Sequence, residues 1–226
     1  MKWIYCLTCM LSLALIAEET VEPVKGRFYL DGAPVSIDIA DGNITRINRL
    51  PEEEIKASDL YIAPGFIDIQ INGYAAVDFS GEDLSVESVR RATEALWKEG
   101  VTTYFPTIIT NSDARIKRSF SVLAEASKEP EIGLSIPGFH LEGPYISPED
   151  GFRGAHLAEY VRQPDWQQFA AYVRAAEGKI LLHTLAPEIE GAVALTQMAV
   201  ANGIVIAIGH TGANTEQIKA VVDAGA

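Results

Sequence analysis

Cysteine is nearly missing from this chain: only Cys6 and Cys9 occur in 226 residues, both among the first ten. Everything after Cys9 therefore folds without a disulfide and offers no thiolate zinc site. The Cys-x-x-Cys spacing suits a metal or redox pair, but a second ligand pair is absent, so the two read as small apolar side chains. Positive charge is also scarce. Eighteen Lys and Arg stand against 31 Asp and Glu, giving a formal net charge of -13 and a pI of about 4.7. No Lys/Arg-rich run occurs. That balance excludes nucleic acid or an anionic membrane surface as the main partner and confines any anionic ligand to a local pocket. No apolar stretch reaches the ~20 residues of a confident membrane span. No Gly-rich dinucleotide fingerprint opens the first helix, and no P-loop is present.

Residues 1–17, MKWIYCLTCMLSLALIA, resemble a secretory signal, with Lys2, an apolar stretch from Trp3, and Ala17 before two glutamates. Leu15 fits the cleavage pattern poorly. Residues 1–24 are accordingly expected to be a signal-like leader or an added extension. From 25 to 63, alternating stretches such as Val35-Ser36-Ile37-Asp38-Ile39 are punctuated by Asp31-Gly32 and Asp41-Gly42, which reads as hairpins. So few strands cannot stand alone, and this segment is expected to be part of a small β-sandwich domain.

From 64 to 226 the rhythm changes to five short β-rich runs, FIDIQI, TTYFPTII, GFHLEG, ILLHTLA and IVIAIGH. Amphipathic segments opening at Ser85, Ser112, Pro164 and Asn214, with one more before Gly203, alternate with them. Near-continuous apolar strands alternating with helices predict an α/β fold with a parallel sheet. Polar residues gather at the ends of several strands (Gln70 and Asn72, Glu142, His210), as a barrel active site requires. A complete barrel needs about 250 residues and eight units. The expected architecture is thus an incomplete (β/α)8 TIM-type barrel comprising the first five βα units.

Strand side chains alternate faces, so His140 and Glu142 share one face while Phe139 and Leu141 take the other. By the same parity Asn72 sides with Gln70 and Asp68, and His210 with Ile208 and Ile206. A carboxylate and an imidazole converging at a barrel mouth suit a divalent metal, although two ligands on distant strands do not define a site, and a hydrogen-bonded polar core is the alternative.

The segments PGFIDIQING (64–73), HLEGP (140–144), RGAH (153–156), TLAPE (184–188) and GHTGAN (209–214) stand in the order and approximate spacing found in N-acetylglucosamine-6-phosphate deacetylases. The chain resembles that family, within the amidohydrolase superfamily, from about Lys25 onward. The resemblance implies that Glu142 and His210 bind one divalent metal ion, zinc first and iron or another divalent metal as alternatives. It implies that Ala155 and His156 touch the substrate. Many amidohydrolases carry His-x-His at the end of the first strand and bind two metals; here Gln70-Ile71-Asn72 stands instead. Amides are poorer ligands than imidazole, so one ion is expected, with Gln70 and Asn72 as groups behind the ligands and His140 either a satisfied core histidine or a third such group. His183 is expected to be a core histidine, Asp68 to orient Gln70, and Glu188 to shape the pocket or be solvated. Arg153 and Arg162 are candidates to attract phosphate, with surface charge the alternative.

The resemblance further implies hydrolysis of the acetamide of N-acetylglucosamine 6-phosphate to glucosamine 6-phosphate and acetate. The general-base aspartate and a second metal histidine are expected beyond Ala226. On that reading the 226 residues are a truncated, inactive fragment, homodimeric in full-length form and cytoplasmic, because phosphorylated sugars are mostly intracellular. A non-catalytic truncated product and an exported carbohydrate-binding protein are the rivals.

Overall fold

The computed structural model describes residues 22–56 and 60–226. The signal-like segment and both cysteines lie outside them. Two compact units divide after Pro64.

The first unit is one sheet of four strands. β1 (Val24–Phe28), β2 (Pro34–Ala40) and β3 (Asn43–Arg49) form an antiparallel meander, and the short β4 (Tyr61–Ile62) adds parallel to β1, giving the order β3-β2-β1-β4. The β2–β3 turn is Asp41-Gly42, both with positive φ (49° and 72°). That geometry matches the twist of the two strands and explains the Asp-Gly signal. Val35 and Ile37 of β2 are buried, whereas Ile44 and Ile47 of β3 are exposed. A second layer facing this sheet is not seen among the described residues.

The second unit alternates strand and helix. β5 (Phe66–Ile71) leads through a small hairpin, β6 (Gly73–Tyr74) and β7 (Val77–Asp78), into α1 (Val86–Lys98). Then follow β8 (Val101–Ile109), α2 (Asp113–Ala126), β9 (Phe139–Glu142), α3 (Trp166–Ala175), β10 (Ile180–Leu185), α4 (Ala192–Ala201), β11 (Val205–Ile208) and α5 (Thr215–Asp223). All five long strands pair in parallel in chain order, β5-β8-β9-β10-β11. The sheet curls as a half-barrel. The five β-rich runs of the sequence become these five strands.

Side-chain caps explain where the helices begin. Ser85 and Ser88 form a capping box on α1, Ser112 caps α2, Asp165 caps α3, and Asn214 with Gln217 forms a second box on α5, each satisfying amides that the first turn leaves unpaired. The main core lies between sheet and helices. Phe139 of β9 stacks on Phe120 of α2 with ring centroids 5.9 Å apart, and Leu141, Ile108 and Phe169 are fully buried beside them. Alternation then commits His140 and Glu142 to the opposite face, which carries the chemistry.

Candidate metal centre

Glu142 is the last residue of β9, and its side chain is only 7% exposed. A buried carboxylate is costly unless its oxygens are satisfied. Here Gln70 Nε2 donates to Oε1 at 2.9 Å and Asn72 Nδ2 donates to Oε2 at 3.1 Å. His210, two residues beyond β11, brings Nε2 to 2.8 Å from the same Oε1. His156, in the loop after β9, places Nε2 3.2 Å from His210 Nε2 and 4.0 Å from Glu142 Oε1.

Each imidazole is fixed from behind. His156 Nδ1 pairs with Thr110 Oγ1 at 2.8 Å, both residues buried. His210 Nδ1 lies 3.2 Å from the carbonyl oxygen of Phe152. His210 adopts φ +51°, a left-handed conformation costing a non-glycine residue about 1–2 kcal/mol. The surrounding loop holds it there: Ser147 N–H donates to the His210 carbonyl at 2.9 Å. Gly154, itself at φ +59°, lies so close that a Cβ would come within 3.3 Å of the ring.

The electrostatics follow from these partners. A carbonyl oxygen can only accept, so His210 Nδ1 carries the hydrogen, and in the neutral ring Nε2 is a bare lone pair. That lone pair faces a carboxylate oxygen. Burial, aided by the positive charge available to His210, lowers the pKa of His156 to about 4, so His156 is neutral near pH 7. For Glu142, burial alone would raise the carboxyl, but the Asn72 hydrogen bond, together with the hydrogen bond and charge that the imidazoles of His210 and His156 supply when protonated, reverses this, and the net direction is down. An ionised carboxylate facing a bare imidazole nitrogen calls for a cation, either a proton on His210 or a metal.

The donor set fits a divalent ion. Glu142, His156 and His210 each offer one ligand atom, all within 4.8 Å of one another. Donors held 2.0–2.1 Å from a tetrahedral zinc stand about 3.3 Å apart. The three separations of 2.8, 3.2 and 4.0 Å bracket that value. One carboxylate oxygen and two imidazole nitrogens, each ring anchored through its other nitrogen, is an arrangement that zinc, iron and similar ions accept.

Of the three candidates for groups behind the ligands, Gln70 and Asn72 touch Glu142 directly. His140 does not hydrogen-bond it. That ring is held between Thr184 Oγ1 (2.7 Å) and Thr107 Oγ1 (3.3 Å) one layer deeper, and burial lowers its pKa to about 4. Ala155 is exposed beside His156. Asp68 accepts the Gln70 backbone N–H rather than its side chain. His183 points to the helix side, pairing with the Leu141 carbonyl at 2.9 Å. Both arginines already have partners: Arg153 donates to the His156 carbonyl and pairs with Asp150, while Arg162 reaches Asp113 at 2.8 Å. Residue spacing alone did not bring His156 into the cluster, because the loop holding it has no periodicity. Only its RGAH segment pointed there, toward the substrate. Thr110, at the end of the β8 run, gave no signal.

A half-barrel with a Glu/His cluster at its strand ends defines a class, and comparison with known proteins gives its family. The chain belongs to the amidohydrolase family, whose model matches residues 61–226, and members of that family are metal-dependent. Within it the chain resembles the N-acetylglucosamine-6-phosphate deacetylases. The Mus musculus deacetylase of that name is 35% identical over 182 residues, covering 79% of this chain and 44% of the relative. An N-acetylgalactosamine-6-phosphate deacetylase of Escherichia coli O157:H7 is 28% identical, covering 83% and 49%. Among solved structures, the Mycobacterium smegmatis N-acetyl-D-glucosamine-6-phosphate deacetylase, an aspartate-to-alanine variant in complex with N-acetyl-D-glucosamine 6-phosphate, aligns with TM-score 0.73 and 31% identity. That alignment covers 85% of this chain and 49% of that one. The chain thus spans about half the length of the relatives it matches.

Proposed function

We propose that this chain carries the metal-binding half of a deacetylase for N-acetylated hexosamine 6-phosphates, with N-acetylglucosamine 6-phosphate the first candidate and glucosamine 6-phosphate and acetate the products. One observation carries the reading: an ionised, buried Glu142 faces two anchored imidazoles in a chain whose relatives are named for that reaction. A divalent ion held by Glu142 and His210 would supply Lewis acidity toward the acetamide carbonyl and lower the pKa of a bound water. Zinc is the first choice.

The remaining work falls to the chain itself. Gln70 and Asn72 grip both oxygens of Glu142, keeping the carboxylate ionised and unable to rotate. This is why amides serve where related enzymes place histidines: they act as donors to one ligand and take no ion of their own, so a single ion is bound. His156, whose Nε2 is the atom set farthest from Glu142 Oε1 at 4.0 Å, is assigned with Ala155 to the substrate acetamide. Its neutral ring exchanges hydrogen bonds without adding charge.

Amide hydrolysis also needs a base for the water and an acid for the leaving amine. Among the described residues, Glu142 is the only carboxylate hydrogen-bonded to either histidine, and it is committed to the ion. We infer that the base, and a further metal histidine, come from other segments, so the 226 residues alone bind an ion without hydrolysing substrate. We further assign residues 25–63 as one layer of a small sandwich, the complete protein as a homodimer, and its location as the cytoplasm. Among the described residues no helix is long and apolar enough to cross a membrane.

The test is NMR on the isotopically labelled chain with zinc, titrated with N-acetylglucosamine 6-phosphate while acetate is followed. The expected result is shifts at Ala155 and His156 without acetate. Acetate release by the purified chain, or an absence of shifts at those residues, contradicts the proposal.

A further inference from the structure

Glu188 lies three residues beyond the end of β10 and is half-buried. Neither the metal centre nor the reaction assigned above uses it, yet both its oxygens are taken. Oε2 accepts from the Thr211 hydroxyl, and Oε1 accepts from the Gly212 backbone N–H at 2.8 Å. Those two residues directly follow His210. Thr211 Oγ1 in turn accepts from Ala213 N at 2.9 Å, so one carboxylate organises the backbone over 211–213.

The same short loop is gripped from its other side. Ser147 N–H donates to the His210 carbonyl, and the Phe152 carbonyl accepts from the ring. The Phe152 ring lies flush on Gly212, where a Cβ would come within 2.6 Å of it. His210 therefore sits at a left-handed backbone position between two clamps. One clamp is built from the loop after β9, the other from the residue after β10. The β9 side holds the His210 carbonyl and ring, and Glu188 fixes the chain that leaves them, so release of residues 211–213 lets the left-handed turn at His210 relax and Nε2 drift from Glu142.

We propose that Glu188 is a positioning residue: by tying Thr211 and Gly212 it holds His210 in the left-handed conformation that aims Nε2 at the ion site. This rests on the metal reading above. The ligand loop offers two donors side by side, and two oxygens on one rigid fork satisfy both.

The test compares the wild-type chain with Glu188→Ala, which removes both acceptors, and Glu188→Gln, which can accept from Gly212 and donate to Thr211. Thr211→Val removes one contact from the other end. Amide hydrogen exchange in the metal-free chain is the first readout. Residues 209–214 should exchange about tenfold faster in Glu188→Ala, with Glu188→Gln near wild type and α4 unaffected. Zinc affinity, by competition with a chromophoric chelator, is the second. Loss of such supporting partners typically weakens metal binding by about 10–100-fold; that loss is expected for Glu188→Ala, an intermediate one for Thr211→Val, and substantial rescue by Glu188→Gln. As a control for stability alone, Ile116→Val in the distant α2 core should leave zinc affinity unchanged. Unchanged exchange over 209–214 in Glu188→Ala overturns the proposal whether or not zinc binds. So does zinc affinity equal to wild type in that variant. If the wild-type chain binds no divalent ion, the metal reading fails instead, and the exchange data still decide whether Glu188 holds the loop.

Discussion

Gly143→Ala probes how the backbone after β9 supports the ligands. Gly143 follows Glu142 at φ +79°, and a Cβ there would lie 2.2 Å from Thr110 Oγ1. Alanine in the left-handed region costs about 1–2 kcal/mol. The 2.2 Å approach cannot be tolerated, so Thr110 must rotate and release His156 Nδ1, leaving a buried polar pair unsatisfied at about 1–3 kcal/mol. The sum is a loss of roughly 2–5 kcal/mol of stability. The second contribution disappears when Thr110 is already absent. Urea unfolding of wild type, Gly143→Ala, Thr110→Ala and the double variant therefore forms a cycle with an expected coupling of about 1–3 kcal/mol. Both single variants should also diminish the substrate-induced NMR shifts at His156, because both free that ring. Additivity within about 0.5 kcal/mol, with the substrate-induced shifts at His156 intact in Gly143→Ala, would refute the assignment of Thr110 as the anchor of His156.

Three further outcomes follow from the fold. Burial lowers the pKa of His183 to about 3, against an ordinary value of 6.5; between these values the unfolded chain binds more protons than the folded one. Its stabilising contribution is full above pH 6.5 and is lost as pH falls toward 3, so urea midpoints measured across that window should decline less in His183→Leu, and parallel curves would count against this. Asp113 at the start of α2 accepts from Arg162, Gln168 and Tyr172, linking α2 to α3. Its carboxylate is partly exposed, so Asp113→Ala should cost only about 1–2 kcal/mol in urea unfolding, and a loss under about 0.5 kcal/mol would leave the link without energetic weight. Phe139→Ala, which empties the stack on Phe120, should cost about 3–5 kcal/mol, and a smaller loss would show that the sheet–helix core collapses around the gap.

How much of this was legible beforehand depended on periodicity. Two-residue alternation within FHLE separates Phe139 and Leu141 from His140 and Glu142, and the core on one side with the carboxylate cluster on the other follows that division. Helix starts were readable because Ser85, Ser112 and Asn214 are themselves the caps. Alternation cannot, however, say which strands approach at which height. Register sets His140 opposite Thr107 and Leu182, so that His140 is spent on threonines while Glu142 emerges at the rim. The β5–β8 ladder also slips between Asp68 and Ile71, and no pattern in FIDIQI announces that Gln70 and Asn72 will both reach Glu142. Short elements fared worst: β4, β6 and β7 have two residues each, too few for any period. The loop from Gly143 to Asp165 is aperiodic, and its geometry is set by tertiary contacts such as those of Thr110 and Phe152.

Everything returns to one ion shared by a carboxylate and an imidazole. Titrating zinc into the metal-free chain against a competing chelator, alongside Glu142→Ala and His210→Ala, tests this most directly. One tightly held ion per chain is expected, with its loss in either variant. Two equivalent ions in the wild type, or undiminished affinity in either variant, would rule out the shared site.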